Sequence, residues 1–475
     1  MQTLITLLSK LLSAVGRLPA EFLRQSLATR IASVVAAVLV TAVLLSGLAV
    51  AMQRETQIML QWWYPGRVIL ILVLLALIPL CVYEAAKYWL MRDSALWPDI
   101  DASWKAALAE LSRQQIDIRN TPLFVLLGSD GRDVEQSLMR DTTLTFKVYS
   151  APPGSAPLHV YGSQDGIIVC LSDIGQTSLV CSRLRSLETQ PETGRAGTGG
   201  GIRDSAVNTQ PLSAAERKTQ INRLEMFSSL LLKSRDSIAA INGVAIVVPV
   251  SLEGDSPADF AAVGDAVGED ILLLQESLGL RASVTFFIDI LGGEQSLEHF
   301  LSNLTGEQRA LEVGQSFPPG TAADPYDIFS VAIRSCDALH DMVTRFILGR
   351  VSQGSLTPAD AASNRRSLES SFATRMYVLP RATAVIRNAT AMVARNADRA
   401  LFTGMYLIHS HASDRQSFVR GAFQRVLALQ GELAWTQATL RNELWRRRAS
   451  IVLMILDIVI VAALAAVIWM RMRAT

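Results

Sequence analysis

The apolar run Leu123-Phe124-Val125-Leu126-Leu127 leads directly into Gly128-Ser129-Asp130-Gly131-Arg132-Asp133-Val134-Glu135. A buried strand followed by G-x-x-x-x-G-K-[ST] is a phosphate-binding loop, in which backbone amides, a lysine and a hydroxyl hold the phosphates and Mg²⁺. In this chain the second glycine position holds Asp133, the lysine position Val134 and the hydroxyl position Glu135. Backbone amides cradle phosphate only while no carboxylate points into the nest. Asp130, Asp133 and Glu135 place three carboxylates where a nucleotide brings its own negative charge. The slot therefore predicts the architecture of a nucleotide site with its chemistry removed, and no cofactor.

Other reactive constellations are not evident. The four cysteines, Cys81, Cys170, Cys181 and Cys336, form no C-x-x-C pair and read as reduced, packed thiols. The histidines His159, His299, His340, His409 and His411 lack metal-ligand spacing, so structural or surface roles and no metal are expected. No Ser/His/Asp or Cys/His arrangement suggests a nucleophile. A net charge of +1 leaves no electrostatic footprint for nucleic acid.

The elements that must position the slot follow from periodicity. Trp97 to Ile118 reads as a helix ended by Pro122, ahead of the first strand. Leu144 to Tyr149 and Leu158 to Gly162 are candidate strands. Gly166 to Leu171 is a buried strand that closes on Ser172-Asp173-Ile174-Gly175. Residues 188–215, rich in Gly, Thr, Pro and Ser, read as a disordered loop. A helix over 214–240, a strand over Val244 to Val250, a helix from Pro257 to Leu278 and a strand over Ala282 to Ile290 follow. This alternation predicts a parallel α/β sheet with crossover helices over about Pro122 to Leu291. Beyond Phe317 the pattern turns helical, over Tyr326 to Leu348 and Ser367 to Tyr377. A short strand follows at Leu401 to His409, and one or two helices span Ser413 to Arg448.

A mean hydropathy of +0.29 is concentrated in three runs. Ile31 to Met52 and Ile451 to Met470 have the length needed to cross a bilayer, and Arg67 to Tyr83, interrupted by Pro79, is shorter. Lys10, Arg17, Arg24 and Arg30 precede the first run, Lys87 and Arg92 follow the second, and Arg446-Arg447-Arg448 precede the third. Trp62-Trp63-Tyr64 in the first connection reads as an interfacial belt. The positive-inside rule then places the N-terminus and the large central domain on the cytoplasmic side of the membrane. Asp457, an ionisable residue within the third run, is a candidate for a relay or gating role as well as for an interfacial position.

Several stretches together resemble the IcmF/TssM family of inner-membrane components of type VI secretion, which has relatives in type IVB secretion. Arg119 to Gly128 resembles the family's entry strand and phosphate loop, and Gly166 to Gln176 its second GTPase strand. Ile241-Asn242-Gly243-Val244-Ala245-Ile246-Val247-Val248-Pro249-Val250-Ser251 is similar to its "LNGVIVAVS" strand. Leu278 to Asp289 resembles the strand ending in a base-reading Thr-Lys-x-Asp. Leu401 to Gly404 and Phe418 to Phe423 resemble the segment before its third span. The likeness covers nearly the whole chain.

The resemblance implies a membrane-anchored α/β fold. A degenerate P-loop GTPase-like parallel sheet at 93–317 would be followed by a helical extension at 318–448. An arm would occupy 1–30, two transmembrane helices 31–92, and a third span with a short tail 449–475. The family continues into a large periplasmic domain, and the likeness stops before it. The nucleotide pocket, degenerate in this chain, would be Gly128, Ser129, Asp130, Gly131, Arg132, Asp133, Val134, Glu135, Ser172, Asp173, Gly175 and Asp289. Ser172 stands at the family's metal-side aspartate and Phe287 at the lysine of the base motif. The implied role is a non-catalytic scaffold that docks a TssL/DotU-like membrane protein and baseplate components, in contact with membrane lipid and able to form homo-oligomers. The alternatives are a divergent NTPase switch that uses Arg132 in place of the lysine, and a membrane-anchored regulator unrelated to secretion.

Overall fold

A computed structural model describes Val35, Leu39 and residues 73–74, 77–85, 96–129, 131–188, 212–235, 239–251, 260–291, 298–317, 325–352, 357–394, 400–410, 416–441 and 444–445. The chain divides into two compact units, Met1–Pro98 and Asp99–Thr475. In the first, residues 73–74 and 77–85 are helical. Val73, Leu74, Leu77 and Leu80 are exposed on that helix. Among the described residues no helix is long and apolar enough to cross a membrane. The apolar run at 451–470, with Asp457, and nearly all of the run at 31–52 lie outside the described residues, as does the expected loop at 189–211.

The second unit is built on one sheet. Its strands are β1 (Leu123–Leu127), β2 (Val148–Ala151), β3 (Leu158–Gly162), β4 (Ile167–Leu171), β5 (Gly243–Ser251), β7 (Ser283–Leu291), β8 (Gly314–Ser316) and β9 (Leu401–Ile408). Two short strands, β6 (Leu280–Arg281) and β10 (Ala434–Trp435), pair separately. The order in the large sheet is β2-β3-β4-β1-β5-β7-β9-β8. Strands β4, β1, β5, β7 and β9 are parallel; at one end β3 pairs antiparallel with both β4 and β2, and at the other β8 pairs antiparallel with β9. All five residues of β1 are buried, as expected for a strand covered on both faces.

The helices of this part of the chain include α1 (Pro98–Arg113), α2 (Gly131–Arg140), α3 (Gln176–Glu188), α4 (Ala214–Ser234), α5 (Phe260–Leu278), α6 (Glu298–Asn303), α7 (Gly306–Arg309), α8 (Pro325–Ser352), α9 (Pro358–Ala373), α10 (Leu379–Ala394) and α11 (Val419–Ala428). Helix α1 opens on Pro98 with Asp99 and Asp101 in its first turn, and buries Ile100, Trp104, Ala107 and Leu111 along one stripe. A π-helical turn, Thr374–Val378, joins α9 to α10. Pro380 lies just beyond it; lacking an N–H, it cannot bond to the carbonyl four residues earlier, and a widened turn relieves the clash with that carbonyl.

The sheet does not end at Leu291. Strand β9 pairs parallel with β7, the register shifting between Val284 and Thr285, and Thr285 and Thr403 hydrogen-bond side chain to side chain at 2.8 Å. The helices at 325–394 therefore lie between two strands of the same sheet, β8 and β9, and are not an extension that follows it. The segment Ser413 to Arg448 is also interrupted. Helix α11 ends at Ala428, and after a turn at Gln430-Gly431 the chain forms β10.

Candidate functional site at the carboxyl ends of the parallel strands

Strand β1 sits between β4 on one side and β5 on the other, so successive connections leave it in opposite directions. Such a switch point opens a crevice beyond the carboxyl ends of the strands. A cavity of about 500 Å³ lies there, lined by residues that include Asp99, Gly131, Arg132, His159, Ser172 and Asp173. The loop that follows β1 turns on two glycines with positive φ, Gly128 and Gly131. Gly128 has φ +78°, and a Cβ there would stand 2.2 Å from the Val247 carbonyl oxygen, so only glycine fits. Its N–H donates to Ser178 Oγ at 3.3 Å. Gly131 has φ +76°, and Asp130 lies outside the described residues.

The side chains of the slot go to different places. Arg132 and Asp133 are exposed in the first turn of α2, and of the two only Arg132 lines the cavity. Val134 packs against the core with Leu144, Phe146 and Leu427. Glu135 is fully buried beneath the crevice. Its Oε2 accepts from His159 Nδ1 at 2.7 Å, and its Oε1 accepts from Ser129 Oγ at 3.4 Å and from Ser172 Oγ in a short hydrogen bond. His159 Nε2 lies 2.9 Å from the Gly154 carbonyl. An acceptor lies against each ring nitrogen, Glu135 at Nδ1 and the Gly154 carbonyl at Nε2, an arrangement that favours the doubly protonated ring. Burial opposes that charge, but the hydrogen bond and charge of Glu135 and the Gly154 carbonyl outweigh it, and the pKa is raised. The carboxylate stands between the serine and the histidine. The histidine therefore cannot take a proton from Ser172, and the cluster is an ion pair, not a nucleophile relay.

The turn after β4 is fastened as well. Asp173 Oδ2 accepts from Arg223 Nη2 at 3.2 Å, and its backbone carbonyl from Arg223 Nε at 3.1 Å. Arg223 also reaches Asp99 Oδ2 at 2.9 Å. Gly175 has φ +93°, and its N–H donates to Gln220 Oε1 at 3.1 Å. The first two amides of α3, on Gln176 and Thr177, donate to the two carboxylate oxygens of Asp270 at 3.1 and 2.8 Å. A helix N-terminus attracts anions, and here one of the protein's own carboxylates fills it. Burial pushes the Asp270 carboxyl up to about 6, against the lowering effect of those hydrogen bonds.

Asp289, on β7, is buried and accepts from Arg185 Nη2 of α3 at 2.7 Å. Ser410, just beyond β9, donates to it from the backbone at 2.8 Å and through its hydroxyl in a short contact. Both of its oxygens are thus engaged by the chain itself. Among the described residues no group of three or more His, Cys, Asp and Glu side chains could hold a metal ion.

Sequence reasoning placed Glu135, Ser172, Asp173 and Asp289 along this edge but missed His159, Arg223, Asp270, Arg185 and Ser410. The approach of His159 to Glu135 depends on the pairing of β3 with β4, which no local motif announces. Each of the other four acts on a residue far away in sequence.

Residues 218–414 match the family model of the IcmF-related N-terminal domain. Neither a curated protein nor a solved structure gives a significant match. The matched stretch contains Arg223, Asp270, Asp289 and Ser410, and the loop at 128–135 with Ser172 and Asp173 precedes it. The match over residues 218–414 is consistent with membership of the IcmF/TssM family.

Proposed function

We propose that this protein is a non-catalytic, membrane-anchored scaffold of a type VI or IVB-like secretion system, built on a GTPase-like domain whose nucleotide stations are filled by its own side chains. The cluster of buried Glu135 and His159 with half-buried Ser172 carries this reading. At the two positions where such a domain holds Mg²⁺, a loop hydroxyl and a strand-end carboxylate, this chain has the two groups exchanged: Glu135 on the loop and Ser172 on the strand. They bond directly to each other, and the imidazolium of His159 supplies the positive charge a metal would bring. Asp289, at the base-reading position, has Arg185 and Ser410 against it. Phosphoryl transfer depends on electrostatics and positioning at these stations, so their joint occupation speaks against turnover.

The two apolar runs near the N-terminus and the one at 451–470 anchor the domain at the inner membrane, with its main body in the cytoplasm. Its surface then serves as the docking platform for a TssL/DotU-like protein and baseplate components. Fluorescent GTP and ATP titrated into the purified full chain, with and without Mg²⁺, should give no saturable binding. A DotU-like protein encoded alongside should co-purify with the chain. Arg132, which lines the cavity, is the one observation favouring a divergent NTPase. Tight Mg²⁺-dependent binding abolished by Arg132→Ala would establish that reading and end the scaffold one.

A further inference from the structure

The last described segment is fastened to the domain and then exposes apolar residues. Strand β10 pairs antiparallel with β6, Ala434 opposite Arg281 and Trp435 opposite Leu280. The backbone N–H and the hydroxyl of Thr436 both donate to the Gly279 carbonyl at 3.2 Å, and the Thr439 hydroxyl donates to it at 2.8 Å. Gly279 closes α5 with φ +67°, directly before β6 and β7. The segment is therefore riveted to the corner between α5 and β7.

From Gln437 the chain is helical through 441 and again at 444–445. Trp435 is 52% exposed, Leu440 49%, Leu444 55% and Trp445 73%. Leu440 and Arg441 are exposed at the end of the first helical stretch and Leu444 and Trp445 in the second, so aliphatic, cationic and aromatic side chains follow one another closely on the exposed chain. This pattern of bulky apolar groups next to arginine and tryptophan is that of a helix lying in a membrane interface. The chain's course supports the same occupant. The apolar run at 451–470 begins six residues after Trp445. Six residues rise about 9 Å as a helix and reach about 20 Å when extended. With that run in a bilayer, Trp445 stands in or beside the headgroup layer. Between Thr436 and Ser450 the chain carries Arg441, Arg446, Arg447 and Arg448 against a single acidic residue, Glu443.

We propose that Trp435, Leu440, Arg441, Leu444 and Trp445 form a docking face for an anionic phospholipid surface. The β6–β10 pairing and the threonine contacts then hold the corner of the sheet at a fixed height above that surface. The distance argument rests on the anchor reading of the third apolar run, and the test separates the two.

The full chain, in a Cys81→Ser background, would carry a spin label at Leu440→Cys or Trp445→Cys. References are Arg365→Cys, an exposed site on α9, and Ile460→Cys within the apolar run. In vesicles of phosphatidylglycerol and phosphatidylcholine, labels at 440 and 445 should lose access to an aqueous nickel relaxant and gain access to oxygen relative to 365. Nickel access at 440 and 445 equal to that at 365 overturns the proposal, whatever the label at 460 reports. A water-exposed label at 460 overturns the anchor reading alone. Shielding that disappears when the protein is diluted in lipid assigns the face to a second copy and also overturns the proposal. Equal shielding in phosphatidylcholine alone removes the role given to anionic charge.

Discussion

Stripping the Glu135 carboxylate of water costs several kcal/mol unless donors replace the lost solvation, and His159, Ser172 and Ser129 supply them. Removing only the cation leaves a buried charge unpaired, so His159→Ala should destabilise the domain by about 3–5 kcal/mol. The double change Glu135→Gln with His159→Gln replaces two charges by two amides and should cost much less. The raised pKa of His159 sets the pH dependence. A basic group held above its unfolded value near 6.5 contributes fully below that value and loses its contribution as pH rises through the folded pKa. Thermal unfolding of the wild type should therefore show a decline in midpoint above pH 6.5 that the double variant lacks; parallel profiles for the two would remove the imidazolium. Asp270 shifts in the same sense, but its window lies lower, between the ordinary carboxylate value of 3.8 and about 6, so the two contributions separate on the pH axis. The sequence made Glu135 visible as a charge in the wrong place. It did not make His159 visible, because a lone histidine on an apolar strand has no local signature until strand pairing puts a carboxylate beside it.

Among the elements, α5 and α10 show how the inserted helices are bound to the sheet domain. Gly264 and Gly268, one turn apart on α5, let the two backbones approach closely. A Cβ on Gly264 would meet the Val385 carbonyl oxygen at 2.5 Å, and one on Gly268 would meet Met392 Cβ at 2.7 Å. Gly264→Ala improves intrinsic helix propensity by about 1 kcal/mol, yet the contact is with backbone and cannot turn aside. The net effect expected is destabilisation of up to about 2 kcal/mol, since overpacking typically costs 1–3. A chemical-unfolding midpoint equal to or above wild type would show that the helices can separate without loss. The strands β1, β4, β5 and β7 were legible as short apolar runs bounded by turns, and β9 was legible as a strand. Its place was not. Periodicity reports which residues are buried but not which neighbour a strand takes, and the long helical stretch between β7 and β9 made the sheet look finished at Leu291.

At the scale of the molecule, the proposed absence of nucleotide chemistry would trace either to one defect in the loop or to several coupled ones. The triple change Asp133→Gly, Val134→Lys and Glu135→Ser rewrites the loop as Gly-Ser-Asp-Gly-Arg-Gly-Lys-Ser, which satisfies the phosphate-loop pattern in full. A single inherited defect would be repaired by it. The structure argues the opposite. Replacing Glu135 strands the His159 imidazolium without its counter-ion, and replacing Val134 withdraws an apolar side chain from the core beside Leu144 and Phe146. Meanwhile Asp270 still holds the start of α3, and Arg185 still occupies Asp289. The triple variant should therefore unfold at a lower temperature than wild type and still show no Mg²⁺-dependent binding of GTP. Because the substitutions are close together and share partners, their costs should not add. A variant that folds and binds GTP tightly would mean that only the loop had been disabled, and the whole domain would then have to be regarded as a switch held off by three residues.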